Sequence, residues 1–265
     1  MGAVRELPRI ATIATMPSRV QSFAKVMADI HAQVDHTFVY LDGHAAPPAF
    51  LDAMDRVTVL HGEALGNLHS SSRFLLLRDL PGPAVVCSID DDIAYPPDYT
   101  DRLVDVLDKL DGRAIIGVHG RVLMPPHGSY ARDVSTIHFG MKLDSHCHVH
   151  ELGCGTCAFV SDRLPLDPRR FPAINMDDII VAIEAQKRGL PRIAIAREAR
   201  WLMPYTEWQE DSLWLQALRD DSEQTRHMHE LLALYGSTPP RPTARPPAPE
   251  PRLAASGPRI GVSGR

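Results

Sequence analysis

The sequence predicts an α/β fold, a single domain on a mostly parallel central sheet with helices on both faces. Three observations predict it. Short, continuously apolar runs rich in β-branched residues alternate with segments of helical period, the mark of strands buried on both faces and joined by helical crossovers. The runs close on Gly, Pro or Asp, which turn the chain. No self-similarity appears at repeat periods of roughly 20 to 50 residues, which sets aside solenoids and propellers.

The elements follow in order. Arg9–Thr15 is the first strand, stopped by Met16-Pro17, and Ser18 offers an N-cap to a helix carrying Val20, Phe23, Val26, Met27 and Ile30. Thr37–Leu41 is the second strand, closed by Asp42-Gly43, and Val57–Leu60 is the third. Ser70–Arg78 reads as a helix and Ala84–Ile89 as a fourth strand. A helix over Asp98–Leu110 leads to a strand at Ala114–Val118. From His119 to His150 the chain is rich in Gly, Pro, His and Ser, with a strand around Ser135–Met141. Leu152–Val160 is a Gly-interrupted strand. Asn175 caps a helix through Ile179, Ile180, Ile183 and Ala185, ended by Gly189. A strand at Arg192–Ile195 and a helix over Asp211–Tyr235 complete a domain of residues 1–236. Residues 237–265, dominated by Pro, Ala, Arg, Gly and Ser, have too little apolar surface to offset ordering and are expected to form a disordered tail.

Composition narrows the function. Of 265 residues 44% are hydrophobic, enough for a sizeable core, and the net charge of −5 gives no footprint for nucleic acid. Met1–Pro8 lacks the pattern of a secretion signal, and no window approaches the ~18 apolar residues of a membrane span. Cys87, Cys147, Cys154 and Cys157 are therefore expected as free thiols in a cytoplasmic protein. Peripheral contact with the inner face of a membrane stays open, since a lipid-linked acceptor would require it.

The chemistry concentrates in acids. In an open α/β sheet ligands bind beyond the carboxyl ends of the strands, where Asp42 and the triplet Asp90-Asp91-Asp92 fall. Three adjacent carboxylates repel one another unless a cation is near. Strand alternation would point Asp90 and Asp92 to one side and Asp91 away. A hard ion such as Mn²⁺ or Mg²⁺ takes carboxylate and phosphate oxygens and can neutralise a departing diphosphate. The competing reading is a solvated acidic turn, disfavoured by the apolar strand VVCSI that precedes it. A second acidic pair, Asp177-Asp178, opens the helix after Asn175, where charge alone complements the helix dipole.

The order of segments IATIATMPSR, VYLDG, LGNLHSSSRF, SIDDDIAYPPDY, LGCGTCAFV and NMDDIIVAIEAQKRGLP resembles the type A (GT-A, Rossmann-like) nucleotide-diphospho-sugar glycosyltransferases, family 2 and exostosin-like members among them. The resemblance covers about residues 9 to 203. It implies a hexosyltransferase-like enzyme of polysaccharide biosynthesis. Such an enzyme moves a sugar from a nucleotide donor, UDP-sugar first, to a glycan or lipid-linked acceptor, with inversion favoured. It assigns residues 9–118 to the nucleotide sugar and 119–236 to the acceptor. Thr15 and Arg19 match contacts to base or phosphates, Asp42 an acid near uracil or ribose, and Asn67 and Arg73 the turn and helix flanking the nucleotide. Asp90, with Asp91 beside it, is implied toward ribose or donor sugar and Asp92 toward the metal, Asp90 sharing it. Asp178, then Asp177, match the general base. A late metal ligand has only His227 and His229 as candidates, and TRHMHE reads as an exposed helix face.

Other readings compete. His146, Cys147, His148, His150, Cys154 and Cys157 could hold zinc, with His148 and His150 on one strand face, but no second ligand pair stands at finger spacing. Alternatively these histidines line an acceptor pocket, as do His119, Arg121 and His138. Trp201 is the tryptophan expected nearest the acceptor, ahead of Trp208 and Trp214, and Glu207, Glu210 and Asp211 could reach the same cleft. SIDDDIAY also matches a haloacid-dehalogenase-like phosphatase with Asp90 as nucleophile and Asp92 as acid, but three strands precede it and the following Thr is missing. A non-catalytic nucleotide-sugar-binding subunit is the third alternative.

Overall fold

The apolar runs of the first half become β1 (Arg9–Thr15), β2 (His36–Leu41), β3 (Val57–His61) and β4 (Val85–Ile89). The computed structural model describes residues 3–62, 66, 68–205 and 217–235. Asn67, Glu207, Trp208, Glu210, Asp211, Trp214 and the expected tail at 237–265 lie outside them. The later strands are β5 (Ile93–Ala94), β6 (Ile115–Gly117), β7 (Gly120–Leu123), β8 (Val134–Ile137), β9 (Cys147–His148), β10 (Glu151–Leu152), β11 (Thr156–Val160), β12 (Arg192–Ala194) and β13 (Met203–Pro204).

The central sheet has eight strands in the order β3-β2-β1-β4-β11-β6-β12-β9. Within it β1, β2, β3, β4, β6 and β12 share one direction, while β11 and β9 run against their neighbours. Helices cover both faces. On one face α1 (Val20–Ile30) and α2 (Tyr99–Lys109) bury Phe23, Met27, Leu103 and Leu107 against Ile13, Val39, Cys87 and Ile116. Each such side chain taken fully from water contributes about 1.5–3 kcal/mol. On the other face a 3-10 helix (His69–Asp79) and α3 (Asp177–Lys187) set Phe74, Leu77, Val181 and Ala185 on Val86, Ile115, Cys157 and Phe159. Finally α4 (Ser222–Ala233) packs Met228 and Leu231 on Ile179, Ile180 and Ile183 of α3. No helix among the described residues is long and apolar enough to cross a membrane.

Several local expectations change. Strand β4 ends at Ile89, so Asp90–Asp92 enter a turn and β5 begins at Ile93. Strand alternation therefore does not decide where the three carboxylates point. Segment 69–79 winds as 3-10 and not α, because its side chains take carbonyls three residues back: Ser72 Oγ bonds His69 O, and Arg73 Nε donates to Ser70 O at 3.0 Å. Ser18 is not a cap, since α1 starts at Val20 after a short 3-10 turn, Pro17–Arg19. Asn175 does not cap α3 either; its Oδ1 accepts from Ser70 Oγ at 3.1 Å, and Met176 holds the N-cap position with no side-chain bond. The strand expected to reach Met141 stops at Ile137.

Candidate functional site

The parallel strands β1, β2, β4 and β6 open on one sheet edge, and the acids gather there. Arg73 is the centre. Its side chain is 7% exposed, and Nη1 donates to Asp90 Oδ1 at 2.8 Å and to Ile89 O at 3.1 Å. Burial works to lower the Arg73 pKa, yet the Asp90 and Asp177 carboxylates outweigh it and hold the guanidinium charged. One cation thus lies between the strand-end acids and the helix-start acids.

Each acid has its own holder. The Asp90 N–H donates to Tyr95 Oη at 2.8 Å, and Tyr95 Oη donates to Gly155 O at 2.5 Å, tying the triplet to the turn before β11. A Cβ on Gly155 would lie 1.8 Å from Asp90 Oδ2, so the carboxyl occupies space that any side chain at 155 would fill. Burial, then Asp92 and Asp90, push Asp91 up to about 7, while the Thr15 hydroxyl and Arg19 guanidinium favour its charged form. Thr15 and Arg19, at and just past the end of β1, are thus among the groups that act on Asp91. The peptide carbonyl of Asp92 accepts the Tyr205 N–H at 2.7 Å, which fastens the triplet to β13.

Asp177 is buried and accepts a hydrogen bond from Ser71 Oγ; burial raises its pKa, and Arg73, Ser71 and Ser70 oppose that. Asp178 is half-buried, and its Oδ1 accepts the Cys154 N–H at 2.7 Å. Burial first, then the Glu151 carboxylate, push Asp178 up to about 7. Glu151 is itself wholly buried, its Oε1 accepting from Arg121 Nη1 at 2.7 Å and from Tyr130 Oη at 2.9 Å. A carboxylate ionising near neutrality at a helix start is chemically suited to general-base work.

Thr15, Arg19, Arg73, Asp90, Asp91, Asp177 and Asp178 thus fall into one connected region. Asp42 adjoins it, its N–H donating to Thr15 O at 2.8 Å. Its Oδ2 is bonded to His69 Nδ1 at 2.8 Å, and His69 reaches it from a left-handed backbone conformation, φ 48°. Nothing local in the sequence marks Ser71, Tyr95, Glu151, His69 or Gly155 as site residues. The aromatic in AYPP and the glycines in LGCGT are visible in it, but their partners are distant in the chain.

Other residues go elsewhere. Trp201 is committed to α2, donating from Nε1 to Asp98 Oδ1 at 3.0 Å, with the Arg102 guanidinium 4.1 Å from its ring centroid. It is a packing residue against Tyr99, not an open acceptor face. His227 is fully buried between α4 and its neighbours, so the helix face bearing it is not exposed. The residues of the zinc reading scatter: His146 Nδ1 accepts the Ala196 N–H, His150 Nδ1 accepts the Leu123 N–H, and Cys157 Sγ lies 3.8 Å from Cys154 O.

Among the described residues no three or more His, Cys, Asp or Glu side chains are grouped to hold a metal ion. One or two carboxylates are nonetheless the usual protein share of a Mg²⁺ or Mn²⁺ shell completed by substrate phosphates and water. The Asp90 side chain, 39% exposed with one oxygen on Arg73, and the half-buried Asp92 fit such a share and do not form a cage on their own.

No protein-family model matches the chain, and no curated protein matches it. Among solved structures it is similar to a nucleotidyl transferase from Methanothermobacter thermautotroptrophicus (Mth528), at 17% identity and a TM-score of 0.43, over 73% of this chain and 88% of that one. At that level the likeness assigns neither family nor activity.

Proposed function

We propose that the protein is a glycosyltransferase that moves a sugar from a nucleotide-diphosphate donor, UDP-sugar first, to a hydroxyl of a glycan or lipid-linked acceptor with inversion. The observation that carries this reading is Arg73 joining two acidic groups of different character at the open edge of the parallel strands. The triplet side holds a donor: Thr15 and Arg19 with Asp91 toward the nucleotide, Asp90 fixed by Arg73 and Gly155 toward ribose or sugar. A divalent cation held by Asp92, with the second oxygen of Asp90, would neutralise the diphosphate. The α3 side supplies the base. Asp178 takes the proton of the acceptor hydroxyl as that oxygen bonds to the anomeric carbon. The bond from this carbon to the diphosphate breaks, and the electron pair leaves with the nucleoside diphosphate.

The phosphatase reading needs Asp90 as a free nucleophile. Its Oδ1 is taken by Arg73 Nη1 at 2.8 Å, which speaks against the role. Asp178→Asn separates transfer from binding. It is expected to keep UDP binding within about twofold and to lose at least about 10²-fold in transfer, the ordinary share of a general base. Unchanged transfer in this variant removes Asp178 from the role.

A further inference from the structure

The donor side leaves the acceptor side to be located, and sheet register locates it. Strands β4 and β6 are parallel with β11 between them, and Ser88, Cys157 and Gly117 lie in one row. Just past the ends of these strands, Asp90 follows β4 and His119 follows β6 on either side of the turn into β11, His119 O accepting the Gly153 N–H at 3.0 Å. Between them runs the turn Gly153-Cys154-Gly155. Gly155 lies under Asp90, Gly153 lies under His119 (an added Cβ would meet the His119 ring at 3.2 Å), and the Cys154 N–H between them holds Asp178.

The wall opposite Asp90 is a cluster of rings. His119 meets His138 edge-on at 5.6 Å between centroids and Phe139 at 6.0 Å, while His138 and Phe139 lie 4.1 Å apart at 33°. Arg197 fixes this corner by donating from Nη2 to His138 O at 2.7 Å and from Nε to Phe139 O at 3.4 Å. The guanidiniums nearby are engaged: Arg197 also binds Ile195 O, and Arg121 binds Glu151 and Tyr130 O. His119 Nδ1 is buried with no hydrogen-bond partner among the described residues. Burial, then His138, Arg121 and Arg197, push His119 down to about 3, so it is a neutral imidazole at ordinary pH. A neutral imidazole can exchange one hydrogen bond with a hydroxyl and offers no charge to a phosphate or carboxylate.

We propose that the His119–His138–Phe139 cluster is the acceptor subsite and takes an uncharged sugar ring, its C–H face on the outer face of the His138–Phe139 stack and a hydroxyl toward His119. Aromatic faces present negative quadrupole to such C–H groups. This rests on the transferase reading, with Asp178 across the turn as base.

The test is saturation-transfer NMR on the full chain with Mg²⁺ and UDP. The neutral probes are methyl glycosides of glucose, galactose, mannose and N-acetylglucosamine; the anionic probes are methyl glucuronide and glucose 6-phosphate. At least one neutral glycoside is expected to receive saturation and the anionic probes to receive none. Phe139→Leu and His119→Phe, which keep ring-sized volume, are expected to cut the signal about fivefold or more, with UDP-induced stabilisation unchanged. Undiminished signal in both variants, a preference for the anionic probes, or no neutral glycoside bound while UDP stabilises the wild type overturns the proposal. Neutral glycosides bound through these residues without any UDP stabilisation would support the subsite and count against the donor reading instead.

Discussion

Arg73 organises the site at the scale of single residues. Its charge is matched by Asp90 and Asp177, so removing it strands carboxylates in a low-dielectric pocket. Arg73→Ala is expected to cost about 3 kcal/mol in chemical unfolding, the low end for breaking a buried pair because Asp90 is partly exposed. A loss under ~1 kcal/mol would mean that the two acids do not depend on it. Gly155 gives a cleaner separation of structure from function. Its backbone does not require glycine by φ, yet a Cβ would collide with Asp90 Oδ2 at 1.8 Å. Gly155→Ala should therefore move the carboxyl and weaken UDP-sugar binding about tenfold, while changing the melting temperature by only a few degrees. Equal affinity in the variant, by calorimetry, would show that Asp90 does not face the donor. The acids could be read from sequence because charge beside an apolar strand is locally conspicuous. Gly155 and Ser71 could not, because what they touch is set by the sheet.

Among elements, the start of α3 is the one whose chemistry depends on pH. Asp178 is raised to about 7 from an ordinary 3.8. Between those values the native state binds more protons than the unfolded chain, so this group's contribution to stability falls as pH rises through that window. Asp178→Asn keeps an acceptor for the Cys154 N–H and never ionises. Its melting temperature is expected to exceed that of wild type at pH 8 and to match it near pH 4. A variant no more stable at pH 8 would place the Asp178 pKa near its ordinary value. The rate of transfer by wild type should fall below about pH 7 for the same reason, since a protonated base cannot accept a proton. At this scale the sequence was legible where periodicity was strong, as in α1, α2, α3 and the four strands β1–β4. It misled at 69–79, where Ser and Arg side chains capture carbonyls and tighten the helix, and at Asn175, which bonds across to Ser70 instead of capping its own helix. Both are competitions between a local rule and a partner far along the chain.

For the whole molecule, the fold class follows from the alternation of buried strands and amphipathic helices, and the eight-stranded sheet has that form. The antiparallel β11 was not legible as such, because strand direction leaves no mark on a short apolar run. Yet β11 sets the geometry, spacing β4 from β6 and presenting Gly153-Cys154-Gly155 between Asp90 and His119. On the proposed reading residues 9–118 hold the donor and 119–236 the acceptor, with Arg73 bridging to α3. The most direct measurement is thermal unfolding with UDP-sugars, with and without Mn²⁺, on wild type and Asp92→Ala. A ligand at 100 times its Kd stabilises by about 2.7 kcal/mol, a shift of several degrees or less for a chain this long. That shift is expected with a UDP-sugar only when Mn²⁺ or Mg²⁺ is present, and is expected to be lost in Asp92→Ala. No shift with any nucleotide sugar, or the same shift in Asp92→Ala, would contradict the proposed donor site.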